Sequence, residues 1–514
     1  MISRSLKNQL KKWPIDYLSL FLIFLSFYWW WQKKAVIGDP DGFYHAKIAK
    51  MIAQGQILQT LPWMQFSTLK DSFTDHHFLY HLLLSFFTHF FDPLWSLKIA
   101  TAIFATLAVL ALYHFFKKLK LNFAWPLSLL ILSLPSLNFR WSLIKVNSLS
   151  FIVCLVFIYA LIKQKKYLLL LSAFIFVWLY GGWPIIFPIY LAWFASIYLL
   201  NKLKVQEKIK YQWSNLLWSL GGILFGLVSH PNWPQNLYFY YQQVVQIGII
   251  NFGQKFTVGS EWYGAGFLEI MSSAPHLFIL AILSMALLVF NYQAITKKTL
   301  FTFLLSFGFL LLSIKSKRYA EYLLPFMLIF IAFSCSDLKN ILKLKNFYSF
   351  WLSLKLKLKI FIASCLIILS ISMIYLLFNQ INNSSLSNKW PLDKFQASAS
   401  WLKQNTAAKS IVFHDNWDQW PMLFYHNDHN YYLIGLDQTF MYNFDADLQQ
   451  EYFDIIEGKI NNPDQIIPTK FGAHYIFLEK DNKRDAFKNI LLANENISLV
   501  YEDEEAEIYQ INQP

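Results

Sequence analysis

Charge and cysteine are scarce in this sequence, and each shortage excludes something. Only 15% of the 514 residues are charged, against 56% hydrophobic and 19% aromatic. A soluble domain carries about 25% charged residues, so this is the composition of a membrane protein. The three cysteines, Cys154, Cys335 and Cys365, all lie in apolar segments. That leaves neither a disulfide framework nor a zinc motif. There is no internal repeat and no low-complexity tract. Small residues are missing where a signal peptidase would cut after the first apolar stretch, which is long and rich in Trp and Phe, so it reads as a retained anchor. Acidic residues are the rarer sign of charge, 31 against 44 Lys and Arg. The resulting net charge of +13 does not imply a nucleic-acid partner, because the Lys clusters alternate with apolar stretches as topology signals do. The acids are also unevenly spread: residues 385–514 are acidic and include Glu502-Asp503-Glu504-Glu505, whereas the membrane part is basic.

What is present is a series of apolar stretches at 14–32, 94–116, 122–139, 143–163, 167–182, 184–200, 213–229, 273–291, 299–314, 320–336 and 360–378. They predict a polytopic α-helical membrane protein of about 11–13 spans. Arg4, Lys7, Lys11 and Lys12 precede the first of them, which predicts a cytoplasmic N-terminus. The Lys clusters at 117–120, 163–166, 202–210, 297–298 and 339–359 then all fall inside, provided that 78–91 does not span. That stretch is expected to lie at the outer interface. The membrane domain is expected to cover 1–380, with long outer loops at 33–93 and 230–272. Residues 385–514 form the second, extracytoplasmic domain. Strand patterns at 410–413, 474–478, 497–501 and 507–511, with helical patterns at 393–404, 447–457 and 483–493, predict α/β structure there. The location expected from this topology is the inner (cytoplasmic) membrane.

Several residues on the outer side carry chemistry. Asp41 follows the first apolar helix in Gly38-Asp39-Pro40-Asp41-Gly42. Outer carboxylates at a membrane surface point to a metal or proton site, although Asp-Pro-Asp-Gly is also good turn chemistry. Asp75-His76-His77 ends the same loop, where Asp and His side chains suit a shared divalent cation or a helix cap. Glu261 is among the few acids of the membrane half. Lys317 and Arg318 lie in a basic cluster, 315–318, placed outside against the positive-inside bias. An anionic lipid-linked phosphate would account for it. Arg140 falls at an outer helix end with Lys145 close by. His230-Pro231-Asn232-Trp233-Pro234 reads as a proline-capped helix end. Trp417 and Asp418 follow a predicted strand, where they suit recognition of a sugar or peptide, or else pack as a core Trp beside a capping Asp.

With these parts in order, the chain resembles the oligosaccharyltransferase catalytic-subunit family of GT-C membrane glycosyltransferases over nearly its whole length. The likeness is carried by short motifs. Asp41-Gly42-Phe43-Tyr44-His45-Ala46-Lys47 is similar to the family's first outer-loop metal motif, and Ser260-Glu261 to the end of its Ser-x-Ser-Glu or Thr-Ile-x-Glu motif. Lys317-Arg318-Tyr319-Ala320-Glu321-Tyr322 resembles the helix start whose Arg meets the donor diphosphate, and Leu179-Tyr180-Gly181-Gly182-Trp183 a Gly-Gly stretch of a later helix. Asn416-Trp417-Asp418 is similar to a remnant of the Trp-Trp-Asp signature, without its first Trp and trailing Gly. No carboxylate lies between 140 and 150, where the second acidic motif belongs. Asp75-His76-His77 has the archaeal form of that motif but stands earlier in the chain.

The resemblance implies an inverting transferase that moves a sugar or oligosaccharide from a polyprenyl (di)phosphate donor to an outer-face acceptor, a protein or glycan. It implies a divalent cation, Mg²⁺ or Mn²⁺, on Asp41, Glu261, Asp75, His76 and His77, with Asp41 or Glu261 also acting on the acceptor. Donor phosphate falls to Arg318, Lys317 and Arg140, and the acceptor to Trp417 and Asp418. The partners are then the donor lipid, the acceptor and the bilayer, with the chain acting as a single subunit. Two alternatives stay open. One is a GT-C enzyme that glycosylates a lipid or cell-surface polymer. The other is a non-catalytic transporter or glycolipid-binding protein.

Overall fold

The computed structural model describes residues 14–205, 208–290, 292–341, 356–382, 390–481 and 483–512. The basic N-terminal flank and most of the basic stretch 339–359 lie outside them. The chain divides into two compact units. The first is built from 1–34, 99–226 and 261–387, the second from 35–98, 227–260 and 388–514. The C-terminal segment belongs to the second unit. However, most of the two outer loops group with the C-terminal segment rather than with the membrane helices.

The first unit is helical. Among the described residues, four helices are long and apolar enough to cross a membrane: Pro93–Lys118, Trp183–Leu203, Lys297–Lys315 and Lys317–Leu338. Two bent pairs raise the number to six if each is one span: Pro135–Ser142 with Asn147–Lys163, bent by 108°, and Phe267–Ser273 with Pro275–Ala286, bent by 101°. Five further apolar helices have 10–17 residues, and a straight crossing takes roughly 20. Hydropathy registers apolarity and is blind to bends and early stops, so it predicts more spans, about 11–13, than pass by length among the described residues. Phe78–Phe87 has 10 residues, short for a straight crossing.

The bends place charged side chains. In the first pair, Leu143 is extended (φ −71°, ψ 146°), so Arg140 ends one helix and Lys145 sits in the break. Ser316 is extended as well (φ −153°, ψ 125°) and starts a single 3₁₀ turn, Lys317–Tyr319, ahead of the helix Ala320–Ile341. Arg318 therefore stands at a helix junction.

In the second unit, five strands form a mixed sheet: β3 (Ile411–His414), β4 (Tyr431–Tyr432), β5 (Ala473–Glu479), β6 (Ile497–Glu502) and β7 (Ala506–Ile511). Their order is β4-β3-β5-β7-β6. β3 runs parallel to β4 and β5, and β7 antiparallel to β5 and β6. The helices Gln396–Asn405, Ala446–Ile456 and Asp485–Ala493 match the expected helical patterns. The two-residue β4 and the short helices Trp420–His426 and Thr439–Phe444 were not anticipated, being too brief to carry a periodic signal. The loop segments join this domain through the backbone. β1 (Val36–Ile37) pairs antiparallel with β2 (Trp390–Pro391). The amides of Gln65 and Phe66 donate to the carbonyls of Tyr432 and Leu433, and Lys47 forms an ion pair with Asp428 at 2.9 Å.

Candidate functional site

Two clusters hold the residues singled out from the sequence, one in each unit. In the first unit, Glu261 lies on the 3₁₀ turn Ser260–Trp262. Its backbone is tethered: Ser316 Oγ donates to Glu261 O at 2.8 Å, and Lys317 N to Tyr263 O at 3.0 Å. A Cβ on Gly264 would meet the Ile314 carbonyl oxygen at 2.3 Å, so only glycine lets the loop pass this close.

The Glu261 carboxylate faces three cations. Arg140 Nη1 donates to it directly. Lys145 Nζ lies at 3.8 Å and Arg318 Nη1 at 3.9 Å, within electrostatic reach but beyond hydrogen-bond length. Burial alone would raise its pKa; Arg140, Lys145 and Arg318 instead hold it well below the usual carboxylate range. Arg140 Nε also donates to Glu321 Oε2 at 3.0 Å. Arg140 and Glu321 are both buried, with side-chain exposures of 8% and 2%. Even so, Arg140 Nη2 has no hydrogen-bond partner among the described residues. Arg318 is held from two sides: Nη2 donates to Tyr180 Oη at 2.8 Å, and the guanidinium lies 4.1 Å from the Trp262 ring centroid. The Tyr180 ring in turn occupies the space where a Cβ on Gly182 would stand. Lys317 turns to Glu269 at 3.0 Å in an exposed pair.

The second unit holds Asp41, Asp75, His76, His77, Trp417 and Asp418. Asp39 Oδ1 accepts from the Asp41 amide at 3.0 Å where the helix Asp41–Ala53 begins, which agrees with the reading of Asp39 as turn chemistry. Asp75 is buried, and both its oxygens lie 2.8 Å from His81 Nδ1. His81 Nε2 lies 2.7 Å from His45 Nδ1, one helical turn after Asp41. Asp75 Oδ1 also accepts from the His77 amide at 3.1 Å. Although burial opposes ionisation of Asp75, His81, His76 and the His77 amide hold its pKa down. The His76 and His77 rings lie 3.9 Å apart, centroid to centroid, tilted by 41°.

In the same unit, Trp417 and Asp418 lie on the 3₁₀ turn after β3. Trp417 packs against the core of the α/β domain. Asp418 is pushed up to about 6 by burial and then by Glu479.

The sequence expected a divalent cation on Asp41, Glu261, Asp75, His76 and His77. Among the described residues, no group of three or more His, Cys, Asp or Glu side chains is arranged to hold a metal ion. Glu261 in particular faces three like-signed neighbours that would repel a divalent cation at contact distance. The donor set around Glu261 does not fit one.

Glu321, Tyr180, His45 and His81 had stood only inside quoted motifs or helical stretches. An acid or histidine within an apolar helix needs a buried partner, and that was the available signal. Naming the partner required the fold.

No protein-family model and no curated protein matches the sequence. Solved structures do. The oligosaccharyltransferase AglB from Archaeoglobus fulgidus, solved with an inhibitory peptide and a dolichol-phosphate, aligns at TM-score 0.60 and 13% identity over 90% of this chain and 69% of its own. ArnT from Cupriavidus metallidurans, bound to undecaprenyl phosphate, aligns at TM-score 0.53 and 12% identity over 98% and 100%. The mycobacterial arabinofuranosyltransferase AftD aligns at 0.57 and 11% over 97% and 40%. With four to six helices among the described residues that are long and apolar enough to cross a membrane, and a small C-terminal sheet domain, the chain has the fold of the GT-C membrane glycosyltransferases.

Proposed function

We propose that this protein is a membrane glycosyltransferase that takes a sugar or oligosaccharide from a polyprenyl (di)phosphate and transfers it to an outer-face acceptor, in the first reading a protein. The observation that carries the proposal is the gathering of Arg140, Lys145 and Arg318 around one point of the helical unit, with Arg140 Nη2 unpartnered. Such a cluster suits the charge that develops on a departing phosphate. Two fold neighbours were solved with a dolichol-phosphate and with undecaprenyl phosphate, which supports a lipid-linked donor.

The chemistry is a displacement. The acceptor's nucleophilic atom bonds to the anomeric carbon as the bond to the phosphate oxygen breaks, and the configuration inverts. The phosphate leaves with the electron pair and is held by Arg318 and Lys145 and by the spare donor of Arg140. Lys317 adds charge at the rim. A carboxylate takes the acceptor proton. Asp41 is assigned this role, and Trp417 and Asp418 the contact with the acceptor.

The transfer assay uses the purified chain in nanodiscs with a fluorescent polyprenyl-diphosphate sugar and peptides with and without an Asn sequon. Sequon-dependent transfer, lost in Arg318→Ala, is the expected result. Absence of both lipid-phosphate binding and transfer overturns the reading. The packing of Trp417 on the domain core, with the incomplete Trp-Trp-Asp signature, favours a second acceptor class, a lipid or surface polymer. Transfer to lipid or glycan acceptors but not to either peptide identifies it. Lipid binding without turnover identifies a glycolipid-binding protein.

A further inference from the structure

We infer that Glu261 is a built-in counter-anion of the donor-phosphate pocket: its carboxylate sits where the lipid phosphate binds, and the two exchange. The inference rests on the donor reading above and assigns Glu261 a role other than metal ligation.

Three observations carry it. The first is position. Glu261 is the carboxylate that Arg140, Lys145 and Arg318 share. A phosphate clamped by those cations would occupy the same space.

The second is incomplete satisfaction. Among the three, only Arg140 donates a hydrogen bond to Glu261. Lys145 and Arg318 stand 3.8 and 3.9 Å away, and Arg140 Nη2 has no partner among the described residues although its side chain is more than nine-tenths buried. A planar carboxylate with two oxygens leaves this Arg140 donor unused among the described residues. A phosphate group offers more oxygens, arranged tetrahedrally.

The third is the contrast with Glu321, the other acid on Arg140. Glu321 is 2% exposed and fixed in the first turn of a long helix; Glu261 is 22% exposed on a single loop turn. Glu321 therefore orients Arg140 permanently, whereas Glu261 has a solvent side to turn towards. Because the turn's backbone is tethered to Ser316 and Lys317, the exchange is a side-chain rotation and needs no displacement of the loop.

Withdrawal of Glu261 removes negative charge from between the cations, and the arriving phosphate replaces it. The same swap in reverse helps expel the product lipid phosphate, since Glu261 competes for its ligands. A self-occupied pocket lowers apparent affinity by the fraction of time it is open, so occupancy of about 90% weakens binding roughly tenfold.

The test measures binding of undecaprenyl phosphate to the full chain in nanodiscs. Glu261→Gln keeps the shape and removes the competing charge, so it is expected to bind about tenfold tighter than the unsubstituted protein. Glu261→Asp keeps the charge, withdraws it by one methylene, and is expected to bind tighter by a smaller factor. Should Glu261→Gln fail to fold, Glu261→Asp decides alone. Glu451→Gln removes one negative charge from a loose ion pair with Lys470 in the α/β domain and is expected to bind like the unsubstituted protein. Unchanged or weaker binding in the Glu261 variants overturns the counter-anion, as does weaker binding that rising Mg²⁺ or Mn²⁺ restores. Failure of every protein, including the unsubstituted one, to bind the lipid phosphate overturns the donor reading instead.

Discussion

Arg140 illustrates how a single buried charge is kept. Its guanidinium lies between Glu321 and Glu261, and removing one member of such a buried set leaves its partner charged and desolvated. Arg140→Met is therefore expected to destabilise the folded protein by about 3–5 kcal/mol, read as a lower midpoint in denaturant titration in detergent. Arg140→Met combined with Glu321→Met is expected to recover most of that loss, because two apolar side chains replace a desolvated pair. A double variant no more stable than Arg140→Met would show that the Arg140–Glu321 pair is not what holds the junction. The sequence marked Arg140, Glu261 and Arg318 individually. It could not show that they converge, because they are more than fifty residues apart from one another and no local pattern encodes such a meeting. The missing carboxylate at 140–150 is informative in retrospect. Arg140 finds its acids at 261 and 321, which belong to other elements.

At the scale of elements, the bends and short turns do the positioning. Gly182 ends the turn that carries Tyr180, and a methyl group there would collide with the Tyr180 ring. Gly182→Ala is expected to displace Tyr180 from Arg318 at a cost of about 1–3 kcal/mol from overpacking. Weaker undecaprenyl phosphate binding is the readout, and unaltered binding would show that Tyr180 does not hold Arg318 in its working position. The turn after β3 gives a pH signature. Burial raises Asp415 and Asp418 from 3.8 to about 6. Both take up a proton more readily folded than unfolded, so their contribution is full below about pH 4 and is lost as pH rises through 6. Burial lowers His414 from 6.5 to about 4, so its contribution is present above 6.5 and is lost as pH falls towards 4. Asp418→Asn is thus expected to raise the melting temperature of the protein more at pH 7 than at pH 4. An equal shift at both pH values would rule out a buried, raised carboxyl. The four longest strands and three helices of this domain were readable from alternation and helical periodicity. β4 was not, since two residues carry no period.

For the whole molecule, membrane integration and the two-unit division follow from different parts of the sequence. The chain is expected to stay with the membrane pellet after alkaline carbonate extraction, and release into the supernatant would contradict a membrane-spanning role for the four to six described helices long and apolar enough to cross. Composition determined the membrane class, and the order of apolar stretches and basic loops determined a helical part followed by an α/β part. These are bulk properties of solvation, and they need no knowledge of which residues touch. Short motifs also pointed to the GT-C fold, which the structural neighbours support independently. Only the tertiary structure decided the company of each charge. It joined segments 35–98 and 227–260 to the C-terminal domain, engaged Asp75 with His81 and His45, and set Glu261 among three cations. The physical reason is that a buried charge is stabilised by whichever opposite charge the fold brings within a few ångströms, and sequence separation carries almost no information about that distance.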